Sequence, residues 1–585
     1  MYFSSRSVKY LLAALSTVSM ISGLGLTQTP TALAKSDSAH PSPQSIHHVV
    51  YIIMDNVHYS DIAQMPHLMQ FLQQGTLFKN DHTILDSHTQ DGMLSDMTGK
   101  YPDQTGVPDQ HFYEGNGHYG SFAFWTNKDA DGHPHVTTTP NWVAFNQHGL
   151  NVGAIGTPDM ELENTSSVTA QIMNPVDPNA KDYLGVAVHQ QNGQATFGAP
   201  NLPYIYNAKA WDEPTSTLGG FPGWGEANPN WSLQATYEMQ THGVPVTFTY
   251  LHDVHEVNGK EVGPGQYANV IQMYDKAFEN FFTKLNAAGI NRDNTLFVLT
   301  TDEGDQYMPQ GETSTGLTAW LTQNSLYQTK SSNVNVVSDS GALVYLNDNS
   351  TLPQTLSSLL AIPGWNYVAD PTELQTLHMN TTAAPDRTPT FVLFAKPDVW
   401  YNYNGTTAVT QNPKYVWNHG TISPAILDIW MGMVGPGVRT HNISNQWLDH
   451  TDTLPTMFQL LGFNLSNQGF AGVPATSAMT MTPRGIHQDV LQQAEETYMQ
   501  LNAPVGKFGM ATLKMSTEAS VNAANDVGVQ LNQQIVNLTT QRDAVAKRLQ
   551  DDIFAIISGH EFPAAQLQQD MSEAQQLLAQ LTPAQ

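Results

Sequence analysis

Three continuous apolar runs of strand length stand out along the chain, and each ends in an acid. His47 to Asp55 reads His-His-Val-Val-Tyr-Ile-Ile-Met-Asp, and Thr247 to Asp253 and Leu296 to Asp302 have the same form. Unbroken apolar runs rich in β-branched residues are typical of strands buried on both faces of a parallel sheet. Between the second and third runs, Tyr267, Val270, Ile271, Tyr274, Phe278, Phe281, Phe282 and Leu285 recur at the i, i+3, i+4, i+7 spacing of one buried helix face, with Gly289 as a natural stop. Strand, helix and strand at this spacing form a βαβ unit. The expected fold class is therefore α/β, with a mostly parallel central sheet flanked by helices.

Two long segments interrupt the pattern. Residues from about 108 to 243 are rich in Gly, Pro, Asn and Trp without sustained periodicity and read as an insertion over the strand ends. Within it Phe122, Phe124, Trp125 and Trp142 form an aromatic group expected to be local core. The stretch from about 305 to 415 mixes a strand (342–346), a helix (353–360) and another strand (390–395). Core elements return at 422–437 and 452–462, where His450 and Asp452, ahead of Pro455, are expected to start a helix. Beyond about residue 486, Leu531, Ile535, Leu538, Arg542, Val545, Leu549 and Ile556 fall near a 4-3 spacing. Gly559 and Pro563 then break the run before Leu567, Met571 and Leu578. This predicts a C-terminal helical hairpin with coiled-coil character that folds back on its own chain.

At the other end, Arg6 and Lys9 precede a weakly apolar run from Leu11 to Leu26 and then Ala32-Leu33-Ala34, the form of a secretory signal cut before Lys35. No later stretch is long and apolar enough to span a bilayer, so an exported, extracellular protein without a membrane span is expected. There are no cysteines, so disulfides contribute nothing and stability must come from a core, from metal, or from both. Charged residues make up only 13% of the chain, about half the usual share, and acids outnumber bases 51 to 23. The net charge of -28 disfavours nucleic-acid binding through a basic surface. A surface of Asn, Gln, Thr and Ser suits an acidic exterior, where exposed carboxylates lose charge near pH 4.

Chemistry concentrates at the strand ends. Thr89 lies in the stretch from Ser87 to Pro102, shortly after the run ending in Asp55-Asn56, placed to present a hydroxyl at a helix start. Asp253 with His255, Asp302 with Glu303, and His419 follow the later apolar runs. Together they read as a hydrolytic metal site. Cleaving a phosphate ester requires neutralised nonbridging oxygens, an activated nucleophile and a stabilised leaving group, and two metal ions about 4 Å apart supply all three. A threonine hydroxyl is a poor nucleophile unless activated, and a helix start offers free N–H groups to a phosphate oxygen.

The order Asp55, Thr89, Thr98-Gly99, Tyr101-Pro102, Asp253-x-His255, Thr301-Asp302-Glu303-Gly304, His419-Gly420, Gly435-Pro436-Gly437, Asp452, Pro455-Thr456 and Leu461-Gly462 resembles the alkaline phosphatase superfamily. Within it, the resemblance is to the type I phosphodiesterase and nucleotide pyrophosphatase branch. It covers roughly 47–110 and 245–465. It implies a catalytic domain over 47–485 between a signal (1–34) with its linker (35–46) and a helical region (486–585). It implies one divalent metal ion held by Asp55, Thr89, Asp302 and Glu303, a second held by Asp253, His255 and His419, and Asn56 near the phosphate. Two departures matter. The family usually has histidine where Glu303 stands, which shifts preference from Zn²⁺ toward Ca²⁺, Mg²⁺, Mn²⁺ or iron. It also separates the Asp and His of the second site by three residues where this chain has Val254 alone, leaving His252 and Glu256 as substitutes, with Asp305 a substitute for Glu303.

The function implied is a secreted metal-dependent phosphoesterase acting on small phosphate mono- or diesters through a threonine nucleophile and a phosphothreonine intermediate. The competing readings are an ordinary helix cap at Thr89 in a catalytically degenerate extracellular binding or cell-wall protein, a sulfatase, for which no cysteine is present, and a phosphonate hydrolase.

Overall fold

The protein is described by a computed structural model over residues 46–121, short strands at 126–128, 134–136, 152–155, 188–191 and 194–197, and residues 229–241 and 245–581 apart from 258–259, 324–333, 403–407, 482 and 561. The expected signal, most of its linker, and the aromatic group at Phe122, Phe124, Trp125 and Trp142 lie outside the described residues.

In chain order the strands are β1 His48–Met54, β2 Thr76–His82, β3 Val152–Ile155, β4 Val188–Gln191, β5 Gln194–Phe197, β6 Val246–Leu251, β7 Thr295–Thr301, β8 Val334–Val337, β9 Gly341–Leu346, β10 Trp365–Ala369, β11 Phe391–Ala395, β12 Asp428–Val434 and β13 Asn442–Ser444. The principal helices are α1 Thr89–Thr98, α2 Pro229–Thr241, α3 Ala268–Ala287, α4 Thr453–Leu461, α5 Gln488–Asn502, α6 Lys507–Val521, α7 Asp526–Ile557 and α8 Ala564–Leu581. The central sheet has the order β13-β2-β12-β7-β1-β6-β3-β4-β5. Its middle run β7-β1-β6-β3 is parallel throughout, while β12 pairs antiparallel with both β7 and β2.

Side-chain alternation along β1 explains why the run is apolar at every position. Val49, Tyr51 and Ile53 join one buried cluster, which also takes in Leu538, Leu549 and Ile553 of α7 and Leu567 and Leu577 of α8. Val50, Ile52 and Met54 face the opposite cluster, with Ile271, Tyr274, Phe278 and Phe281 of α3. Both faces are thus covered. The C-terminal helices do fold back on the chain, and α5 and α6 pack with them, so the region is a larger helical layer than a hairpin alone. The segment after 305 contributes a separate four-stranded antiparallel sheet, β8-β9-β11-β10. Its strand and helix positions agree with those read from the sequence. His450–Asp452 forms a short 3-10 turn, with Asp449 as its cap, leading directly into α4. Among the described residues no helix is long and apolar enough to cross a membrane.

Candidate active site

Strand register builds the site. In β1, Met54 lies opposite Thr301 of β7 and Leu251 of β6, so the next residues of each strand emerge together at the carboxyl edge of the sheet. Ligands of open α/β sheets bind at that edge. Asp55 follows β1 and Asp302-Glu303 follow β7. The Asn56 N–H donates to Asp302 Oδ1 at 3.1 Å, and the Val57 N–H donates to Thr301 Oγ1 at 3.0 Å. Asn56 takes a left-handed backbone (φ 52°), which turns the chain sharply where it leaves the strand.

Thr89 opens α1, whose ten residues are all buried. His88 is the cap and Gly99, at φ 66°, ends the helix. The Thr89 hydroxyl donates to Glu303 Oε1 at 3.0 Å. Asp55, Asp302 and Glu303 each offer an oxygen within 4.8 Å of the others. Glu303 is fully buried, and its Oε2 and the Asn56 Oδ1 have no hydrogen-bond partner. No Lys or Arg among the described residues comes within 4.0 Å of these three acids. Burial first, and then the charge of Asp302, push the Glu303 carboxyl well above its usual range. Buried carboxylates crowded together with unfilled oxygens fit a divalent cation, and an all-oxygen donor set suits a hard one.

The second expected ligand set does not gather at one point. Asp253 lies 3.1 Å from His255 Nδ1, but His255 is grouped with His58 and Asp305, while His419 is grouped with His88 and Glu303. His255 is wholly buried. It contacts Asp305 at 3.0 Å and Asp61 at 3.2 Å, and it stacks on Trp417 with ring centroids 4.2 Å apart. Burial would lower its pKa, yet Asp305 and Asp253 raise it well above the usual value. Burial would likewise raise Asp305, but His255 and His58 hold it at about 2. This is a satisfied ion-pair network. His252 and Glu256, the alternatives suggested by spacing, join none of the four ligand groups. His419 stands 3.9 Å from Glu303 Oε1, and burial, with His88 adjacent, pushes it down to about 4, so its imidazole is neutral at ordinary pH.

Linear spacing gives Asp305 only as a substitute for Glu303, because it does not show that His58, Asp61 and His255 converge there, and it does not single out His88. His88 was hidden by its neighbour: one residue before Thr89, it donates from Nε2 to Asp339 Oδ2 (3.0 Å) while Nδ1 accepts the Thr89 N–H (3.2 Å).

A parallel-centred sheet thus presents clustered carboxylates and a helix-start hydroxyl at one edge. The chain belongs to the type I phosphodiesterase/nucleotide pyrophosphatase family, which it matches over residues 49–422. Among solved structures it is similar to murine ectonucleotide pyrophosphatase/phosphodiesterase 5 at 14% identity (TM-score 0.46) and to the human protein of the same name at 12% (TM-score 0.46). It is also similar to an inactive form of the murine protein in complex with AMP, at 13% (TM-score 0.47). In each case 71% of this chain and 95% of the other are covered. No curated protein matches the chain.

Proposed function

We propose that this protein is an exported phosphoesterase that hydrolyses small phosphate mono- or diesters with Thr89 as nucleophile. The observation that carries the reading is the 3.0 Å bond from the Thr89 hydroxyl to Glu303, beside the converging Asp55 and Asp302. Asp55, Thr89, Asp302 and Glu303 would hold a divalent ion, with the Asn56 amide oxygen adjacent; when bound, it supplies positive charge for the phosphate oxygens and acidifies the hydroxyl.

The residues then divide the work. Thr89 Oγ1 forms the bond to phosphorus as the opposite ester oxygen leaves, giving a phosphothreonine. Glu303 Oε1, already accepting the hydroxyl, takes the proton. The first-turn amides of α1 face the developing charge on the phosphoryl oxygens. Water cleaves the phosphothreonine, restoring Thr89 and releasing phosphate from a monoester or a phosphate monoester from a diester. Asp253, His255 and His419, expected to hold a second ion, share no group of ligand atoms within 4.8 Å, so only the ion at Thr89 is proposed. Export through the Arg6–Ala34 segment is part of the same proposal, and the mature N-terminus of secreted protein tests it.

Turnover of bis-p-nitrophenyl phosphate and p-nitrophenyl phosphate by wild type and Thr89→Ala tests the reaction. The expected loss is at least about 10³-fold. An unchanged rate contradicts the nucleophile. Wild-type protein that holds metal but turns over neither ester favours a binding role instead.

A further inference from the structure

Beside His88 lie Asp109 and Asp339, which offer ligand atoms within 4.8 Å of its own, and the nearby charges of Asp86 and Asp91, none of which the proposed reaction uses. Asp86 and Asp91 flank it in sequence, Asp109 comes from the loop after the short helix Pro102–Thr105, and Asp339 from the turn between β8 and β9. All four are at most 4% exposed. Their inner shell is orderly. The Ser87 N–H donates to Asp86 Oδ1 (2.8 Å), the His111 N–H to Asp109 Oδ1 (3.3 Å) and the Ser340 N–H to Asp339 Oδ1 (2.6 Å). Asp86 Oδ2 and Asp109 Oδ2 have no partner, and Asp339 Oδ2 meets His88 Nε2 at 3.0 Å. Asp91 has no partner at either oxygen although it is 1% exposed.

We propose that His88, Asp109 and Asp339, with Asp86 and Asp91 lining the same enclosure, form a binding site for a hard divalent cation of the Ca²⁺ or Mn²⁺ type, separate from the ion at Thr89.

Donor atoms of His88, Asp109 and Asp339 already lie within 4.8 Å of one another, close enough to share one ion. Carboxylates whose outer oxygens are fixed by backbone N–H groups while the inner ones stay unfilled have the arrangement of oriented metal ligands. Charge argues the same way. Four acids cluster near His88, whose ring also meets His419 with centroids 4.7 Å apart, and no Lys or Arg among the described residues lies within 4.0 Å of the four acids.

Protonation alone is the rival explanation. Against it, the interactions between these acids are charge repulsions, with no carboxyl–carboxyl hydrogen bond among them. The backbone leaves room for the carboxylates where a side chain would not fit. A Cβ on Gly341 would sit 2.2 Å from Asp86 Oδ2, and one on Gly420 2.3 Å from Asp339 Oδ1. Carboxylate-dominated donors with one imidazole select a hard cation. Binding a cation at Nε2 moves the single ring proton to Nδ1, at the expense of the Thr89 N–H bond. The occupied site would therefore tie Asp109 and Asp339 to the start of the nucleophile helix.

The test uses the full chain stripped by chelator at pH 7. Metal content and Ca²⁺ or Mn²⁺ titration are compared for wild type, Glu303→Gln, Asp109→Asn and Asp339→Asn. Glu303→Gln is expected to keep one tightly held equivalent and a rise in Tm of about 2–3 °C at a hundredfold excess over Kd. Asp109→Asn and Asp339→Asn are expected to lose that equivalent and that rise. Asn mimics the protonated acid, so Asp109→Asn should fold, and far-UV circular dichroism checks it. The proposal is overturned if stripped wild type binds neither cation, or if a folded Asp109→Asn retains the full equivalents and the same Tm response. Loss of turnover in Glu303→Gln with the extra equivalent retained separates this site from the catalytic one.

Discussion

Replacing Asp81 by Asn should make this protein more stable at neutral pH and change it little in acid. Asp81 sits in β2 with no exposed surface. Its Oδ1 accepts the His82 N–H at 3.0 Å, while Oδ2 has no partner. Burial and the charge of Asp449 raise its pKa from 3.8 to about 8. A carboxyl raised on folding contributes its stability below the unfolded pKa, and that contribution drains away as pH climbs toward the folded value. At pH 7 the unfolded chain has lost this proton and the folded chain keeps it. The difference of roughly three pH units, at about 1.4 kcal/mol each, is about 4 kcal/mol. For a chain of this size the entropy of unfolding is about 1.1 kcal/mol/K, so Asp81→Asn should melt about 3–4 °C above wild type at pH 7. At pH 4 the two should melt within about 1 °C. Differential scanning calorimetry from pH 4 to 8 measures the divergence. Parallel Tm curves over that whole range refute a proton held on Asp81.

Three further outcomes are expected. Wild-type Tm itself should fall as pH rises from about 4 to about 8, because Glu495, like Asp81, is raised to about 8, chiefly by burial; a Tm that climbs across this range contradicts that sign. Glu303→Gln should lower turnover of bis-p-nitrophenyl phosphate about 10²- to 10⁴-fold and reduce bound metal, which steady-state kinetics and elemental analysis check. Gly99→Ala forces a side chain into φ 66° with its Cβ 2.7 Å from Phe470 Cδ1; a cost of about 1–3 kcal/mol should appear as a Tm drop of a few degrees.

Much of this architecture was legible because apolar runs ending in acids are what parallel strands look like when both faces are covered and their carboxyl ends carry ligands. Asp55, Asp302 and Glu303 followed from that logic, and β-register brings them together. Strand direction was not legible. The run in β12 is as apolar as its neighbours, yet it runs antiparallel in the middle of the sheet. The helical region was underestimated for a related reason: α5 and α6 bury Glu495, Gln500, Thr512 and Ser516 beside their apolar residues, which blurs the stripe that made α7 and α8 visible. The surroundings of His255 were illegible because Asp61 comes from the short helix Tyr59–Ile62 while Asp253 and Asp305 follow two different strands, β6 and β7. A two-residue spacing fixes only the contact with Asp253.

Acid quenching during turnover of bis-p-nitrophenyl phosphate, followed by mass spectrometry of the peptide carrying Thr89, tests the central claim most directly. The account predicts a phosphoryl group on Thr89 in wild type and none in Thr89→Ala. Undiminished hydrolysis by Thr89→Ala, or a trapped phosphoryl group on a different residue, contradicts it.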